Sequence, residues 1–278
     1  KRYQKLQHIY TEKFGPEAVR FFSSPGRTEI GGNHTDHNHG KVIAASINLD
    51  SIAAAQINNS DIIRIFSEGF DDAFIVDLAS LGKLDTERET TNALIRGMAG
   101  KFFQLGYKIG GFNAVITSNV LQGSGLSSSA SIESLIGCMM NNLFNDGKIS
   151  PEEIAKIGQY AENHYFGKPC GLMDQMACSV GNMIAIDFET PEQPAVYPIS
   201  FDFSRSGYKL IVLDTGASHA DLTEDYAAIP KEMKKVAEFF NKTACREVTE
   251  KDFYTSLPEL KKIFSRSEER RVGKECAT

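Results

Sequence analysis

The feature that most constrains this chain is a loop of glycine and serine set between two runs of different periodicity. Phe112 to Thr117 alternates and is rich in β-formers, which predicts a strand. Ala130 to Phe144 is a mostly apolar run of helical length. Between them stands Gly123-Ser124-Gly125-Leu126-Ser127-Ser128-Ser129-Ala130-Ser131. The order strand, small-residue loop, helix has a physical meaning. A helix N-terminus presents unpaired N–H groups and partial positive charge, and small residues let the backbone come close to an anion. The hydroxyls of Ser127, Ser128 and Ser129 can donate to phosphate or take a place on Mg2+. An ordinary turn with a serine cap has the same local look. Two familiar nucleotide loops are excluded by reading: no Gly-Lys pair has a glycine five residues before it, and neither HRD nor DFG occurs.

Around this loop the chain alternates strand-like and helix-like runs, which predicts an α+β architecture. Residues 2–14 carry Leu6, Ile9, Tyr10 and Phe14 at helical spacing, stopped by Gly15-Pro16. An apolar run at 18–22 leads into a turn at Ser24-Pro25-Gly26. Segments 42–49, 52–57 and 62–66 read as short strands and 91–105 as a helix. Ser150 caps a helix opening at Pro151 and running to about Phe166. Met183–Ile186 and Lys209–Leu213 read as buried strands, and Asp221 to about Phe240 as an amphipathic helix. A boundary is expected around residues 200–208.

The 278 residues suffice for one large domain or two smaller ones. The net charge of -6 argues against a nucleic-acid or membrane-surface partner. No apolar run approaches the ~20 residues that span a bilayer, and the polar first residues do not read as a signal peptide. The lack of an initiator Met suggests that the start is missing. Five cysteines without a CxxC pair suggest reduced thiols in a cytosolic protein.

The densest polar segment is PGRTEIGGNHTDHNHG, residues 25–40. Its glycines and proline predict a tight loop. His34, Asp36, His37 and His39 could hold a metal. The same segment could instead bind a polyol, because Asn, Asp and neutral His offer the mixed donors and acceptors that adjacent hydroxyls require. Arg27 would then supply charge for a transferring phosphoryl group. A third segment, Glu162 to Gln175, joins a helix to a glycine-containing loop and ends at Asp174, which by itself could be a helix cap.

Together PGRTEIGGNHTDHNHG, LQGSGLSSSAS and CGLMDQ, in this order, resemble the galactokinases of the GHMP small-molecule kinase superfamily. The resemblance runs from residue 1 to about 265, roughly two-thirds of such a protein. It implies a two-domain GHMP fold: an N-terminal domain of the ribosomal protein S5 domain 2 type over 1–205, and an incomplete α/β C-terminal domain over 206–265. It implies ATP-dependent phosphorylation of galactose at its 1-hydroxyl in a cytoplasmic, monomeric enzyme. Asp174 matches the catalytic aspartate and Arg27 the arginine that keeps it ionised. Gly123, Ser124, Gly125, Leu126, Ser127, Ser128 and Ser129 match the ATP loop. Ser129 and Glu162 match the Mg2+ ligands. Asn33, His34, Thr35, Asp36, Gly171 and Tyr226 match sugar-binding positions, with Asp174 also touching the sugar. Many galactokinases carry Glu where Asn33 stands, which leaves specificity at that hydroxyl open.

Two other readings accompany this one: a sibling kinase for N-acetylgalactosamine or a pentose, and a non-catalytic sensor of galactose and ATP. The presence of Arg27, Ser129, Glu162 and Asp174 favours an enzyme. The superfamily's further glycine-rich motif does not follow Tyr226, so the chain is expected to be cut short and poorly stable or inactive as written. Residues 266–276, RSEERRVGKEC, resemble a translated sequencing adapter, making 266–278 a non-native tail. A natural reading frame across codon 265 in the source genome would sink that expectation.

Overall fold

The computed structural model describes residues 1–32, 34–121, 123–211 and 223–263, with the side chains of Ser204 and of residues 223–227 left out. In chain order the regular elements are α1 (Arg2–Phe14), β1 (Arg20–Gly31), β2 (Lys41–Ile57), β3 (Ile62–Ser67), β4 (Phe74–Asp77), α2 (Thr91–Gln104), β5 (Phe112–Ser118), α3 (Ser128–Phe144), α4 (Pro151–Ala161), α5 (Met173–Val180), β6 (Met183–Asp187), β7 (Ala195–Ile199), α6 (Phe203–Ser206), α7 (Thr223–Phe239) and α8 (Glu250–Ile263). The architecture is mixed, with strands and helices interleaved as the sequence predicts. Two compact units share these elements, residues 1–28 with 46–181 and residues 29–45 with 182–278.

In the first unit β2 pairs antiparallel with β5, from Ser51 opposite Ser118 to Ile57 opposite Phe112. β5 pairs parallel with β3, and β3 antiparallel with β4. The parallel pair is joined through α2, the crossover such a pair requires. Period-2 alternation then sorts the side chains. Ile52, Ala54 and Val115 face α1, where Leu6 and Tyr10 are buried. Ala53, Ala55, Ala114 and Ile116 face the main core, built with Ile95, Met98, Phe102, Leu135, Ile136 and Ile157 from α2, α3 and α4. Helices α2 and α4 pack closely because Gly97 leaves no room for more: a Cβ there would lie 2.8 Å from the Ala161 Cβ.

In the second unit Lys41–Ala45 of β2 pairs antiparallel with β6, and β6 with β7. Its apolar cluster is Met233, Val236 and Ala237 of α7 with Cys245, Phe253 and Leu260. Among the described residues no helix is long and apolar enough to cross a membrane.

Several expectations need correction. The turn at Ser24-Pro25-Gly26 and the start of the supposed loop are strand, since β1 continues to Gly31. Pro25 is tolerated because, among the described residues, β1 pairs with β2 alone and so has an edge side on which a ladder N–H is not needed. The strands at 42–49 and 52–57 are one strand, running through Asp50 and Ser51. The helix expected to run to Phe166 changes at Glu162 into a π turn, Glu162–Phe166. Among the described residues Lys209–Ile211 joins no ladder, and Ile211 is exposed. The rest of that segment, like all of residues 212–222, and the 266–278 tail lie outside the described residues.

Candidate active site

The glycine/serine loop is held in a conformation that few residues adopt. Gly123 and Gly125 have φ of 70° and 74°, and Ser127, which is not glycine, has φ of 58°. A left-handed serine stores strain of the kind that persists where the surroundings over-determine it. Ser127 stands at the N-cap position of α3, yet its side chain does not cap the helix. Its hydroxyl donates instead to Asp174 Oδ2 at 2.5 Å. The plain serine-cap reading of this loop is thereby displaced. Ser124 Oγ donates back to the Leu121 carbonyl at 2.6 Å, Leu126 is buried, and Ser128 and Ser129 open α3.

Strand β1 lies directly against the loop. Arg27 N donates to the Leu126 carbonyl at 3.1 Å. Gly26 permits this approach, because a Cβ on it would meet the same carbonyl at 2.9 Å. The buried Arg27 guanidinium then forks onto Asp174, Nε to Oδ1 at 2.7 Å and Nη2 to Oδ2 at 2.6 Å, while Nη1 donates to the Gly125 carbonyl at 2.7 Å. A bidentate guanidinium favours the ionised carboxylate and fixes its plane. Asp174 lies in the first turn of α5, whose N-cap is Leu172, so the cap reading of Asp174 is also displaced. Its side chain keeps 30% exposure beside an arginine at 8%, so it can meet a ligand. Gly171 is half-buried just before α5.

Ser129 and Glu162 also meet: Ser129 Oγ donates to Glu162 Oε1 at 3.1 Å. Glu162 is buried, and Lys168 Nζ stands 4.0 Å from Oε1. Burial raises the Glu162 pKa, and Lys168 opposes that rise. The other oxygen of Glu162 accepts from Gln175 Nε2 at 2.7 Å, and the same nitrogen reaches Glu133 Oε2 at 3.1 Å. Burial, with Glu162 beside it, pushes Glu133 well above the usual carboxylate range. Sequence reasoning missed Glu133 and Gln175. Glu133 sits in an apolar helical run, which was the available signal; Gln175 follows Asp174 directly.

The second unit carries the remaining polar segment. His34 takes a left-handed backbone and its N–H donates to Glu29 Oε1 at 2.9 Å. Thr35 and Asp36 lie buried in a single 3-10 turn, Thr35–Asn38. Thr35 Oγ1 donates to the Lys41 carbonyl at 3.1 Å, and Asp36 Oδ1 accepts the His37 N–H at 3.0 Å. Arg246 donates to the His39 carbonyl at 2.8 Å and pairs with Asp187, fastening the end of this turn to β6. Among the described residues, His34, Asp36, His37 and His39 do not gather into a metal-ligand set. Asn33 and the Tyr226 side chain lie outside the described residues.

The arrangement of a strand, a glycine/serine loop and a helix, with an arginine–aspartate fork against the loop, lies in a region that is similar to the GHMP kinases. Residues 93–182 match the model for the GHMP kinases N terminal domain, and residues 8–57 match the galactokinase galactose-binding signature. Galactokinase of Bacillus subtilis is 37% identical over 181 residues, 64% of this chain and 46% of its own length. Galactokinase of Pyrococcus furiosus is 34% identical over 249 residues, 87% of this chain and 66% of its own. The crystal structure of Lactococcus lactis galactokinase complexed with galactose has a TM-score of 0.82 at 25% identity, covering 98% of this chain and 70% of that one. The mevalonate kinase of Methanococcus jannaschii, at 16% identity and a TM-score of 0.56, shares the fold. The chain belongs to the galactokinase family. It spans about half the length of several curated relatives it matches.

Proposed function

We propose that this chain carries the catalytic machinery of an ATP-dependent galactose kinase, transferring the γ-phosphoryl group of ATP to the sugar 1-hydroxyl. The Arg27–Asp174 fork beneath the loop carries the reading, with support from the named activity of its relatives. In phosphoryl transfer the protein mainly positions reactants and stabilises charge. The loop Gly123–Ser129 would cradle the phosphates. Asp174 would orient the 1-hydroxyl and take its proton as the new O–P bond forms and the bond to the ADP oxygen breaks. Arg27 would hold Asp174 in plane and offset negative charge on the moving group.

His34, Thr35, Asp36, Gly171, Asn33 and Tyr226 would line the sugar side. Ser129 and Glu162 suit Mg2+, since a hydroxyl and a buried carboxylate already meet at 3.1 Å and such ions take few protein oxygens beside phosphates. That ion would neutralise charge on the β- and γ-phosphates. Domains at 1–205 and 206–265, a monomer, and a cytoplasmic setting belong to the same proposal.

The test is steady-state kinetics on galactose and N-acetylgalactosamine with Asp174→Ala as the variant. Turnover of galactose should vanish in Asp174→Ala while nucleotide binding stays within a few-fold. Substantial remaining turnover would refute the role of Asp174, and a preference for N-acetylgalactosamine would refute the substrate.

A further inference from the structure

Three helices of the first unit meet on side chains that stability alone would not select. Glu133 of α3, Glu162 at the end of α4 and Gln175 of α5 are each 3% exposed or less, and two of them are acids. Two buried carboxylates in one apolar junction cost more than well-packed apolar side chains of similar volume would. The cost is not fully offset by hydrogen bonds: Glu133 Oε1 and Gln175 Oε1 are buried without a hydrogen-bond partner. Space is nevertheless kept for the group. Gly158 stands one turn before Glu162 on α4, and a Cβ there would lie 3.0 Å from Glu133 Oε2 and 3.3 Å from Gln175 Cγ.

The bonding is asymmetric in a useful way. The Gln175 amide nitrogen spans Glu133 Oε2 and Glu162 Oε2. One oxygen of Glu162 is thereby engaged, and Oε1 is turned toward Ser129. Without Glu133 the amide could rotate away, and the Glu162 carboxylate would lose the contact that distinguishes its two oxygens.

We propose that Glu133 and Gln175 are positioning residues that hold Glu162 with one oxygen presented beside the Ser129 hydroxyl for a divalent cation. This rests on the assignment of Ser129 and Glu162 as the metal-holding pair. Partners one shell out from a metal commonly change affinity by 10- to 100-fold when removed.

The experiment titrates Mn2+ into the full chain with ADP present and follows free Mn2+ by electron paramagnetic resonance. ADP affinity is measured separately in EDTA. Glu133→Met and Gln175→Met keep side-chain length but remove the hydrogen bonds; each should weaken Mn2+ binding by about 10-fold or more. Their metal-free ADP affinity should match the parent. Glu133→Gln, which can still accept from the Gln175 amide, should bind Mn2+ within about 3-fold of the parent. Parent-like Mn2+ affinity in both Met variants would overturn the inference, as would a Glu133→Gln as weak as Glu133→Met. Should Glu133→Met not fold, Gln175→Met carries the same comparison. Glu162→Gln separates the two levels: if it binds Mn2+ as the parent does, the metal assignment itself fails. If Glu162→Gln loses binding while both Met variants keep it, only the positioning role fails.

Discussion

From a buried position the Arg27 guanidinium donates to both carboxylate oxygens of Asp174 and to the loop carbonyl of Gly125. Only a planar fork can do this. A lysine ammonium is a point charge on a flexible stem and cannot hold both carboxylate oxygens and the carbonyl at once. Arg27→Lys should therefore lower turnover by about 100-fold, the scale seen when one aligned donor is removed from a charge-stabilising site. KM for ATP should change far less, and steady-state kinetics would separate the two. The pair was legible as residue types, through motifs that stand 147 positions apart. What Ser127 does was not. Read along the chain it is a phosphate ligand or a helix cap, whereas its hydroxyl meets Asp174 because a left-handed backbone turns it there.

Helices were the most legible elements, because their signals are local. Residues 2–14 form a helix with the expected limits, and Ser150 accepts the Glu153 N–H at 3.2 Å as the sequence predicted of a cap. Ser150→Ala should cost about 1 kcal/mol in urea unfolding. Packing between helices was not legible. Gly97 looks like a poor helix former, yet it is where α2 comes against Ala161, the residue before Glu162. Gly97→Ala should destabilise the fold by about 1–3 kcal/mol, the usual cost of overpacking. The same denaturation series would show it, and a stabilised variant would refute the close contact. Strands were misread where a local cue was overruled. Asp50 and Ser51 resemble a turn, but Arg2 binds Asp50 and the Ser51 hydroxyl pairs with that of Ser118, so β2 continues unbroken.

At the scale of the molecule, ion pairs fix distant parts of the chain within each unit. In the second unit Asp187 accepts from Arg246, which lowers the Asp187 pKa below its ordinary value, and Lys41 adds to the effect. A carboxyl whose folded-state pKa is depressed adds stability above its unfolded value of about 3.9, and that stability is lost as pH falls through the lower folded value. Asp187→Asn should consequently lower the thermal midpoint at pH 7. The gap from the parent should close only as the pH drops below about 4. Thermal scans from pH 2 to 7 would check this, and a gap unchanged at pH 2 would refute the electrostatic origin.

The glycine/serine loop shows where the division falls. The sequence by itself determined that a strand, a loop of small residues and a helix follow one another, and that three motifs of one kinase family occur in order. The first property is written in spacing and composition over a few consecutive residues, and the second in the resemblance of short segments to a known family. The tertiary structure alone decided that β1 runs on through Pro25 and Gly26 to lay Arg27 against the loop. It alone brought Glu133 and Gln175 together behind Glu162. Periodicity says which face of a helix is apolar, but not which polar side chain on another helix it will bury beside. That is settled only when the helices pack and each buried donor must find an acceptor.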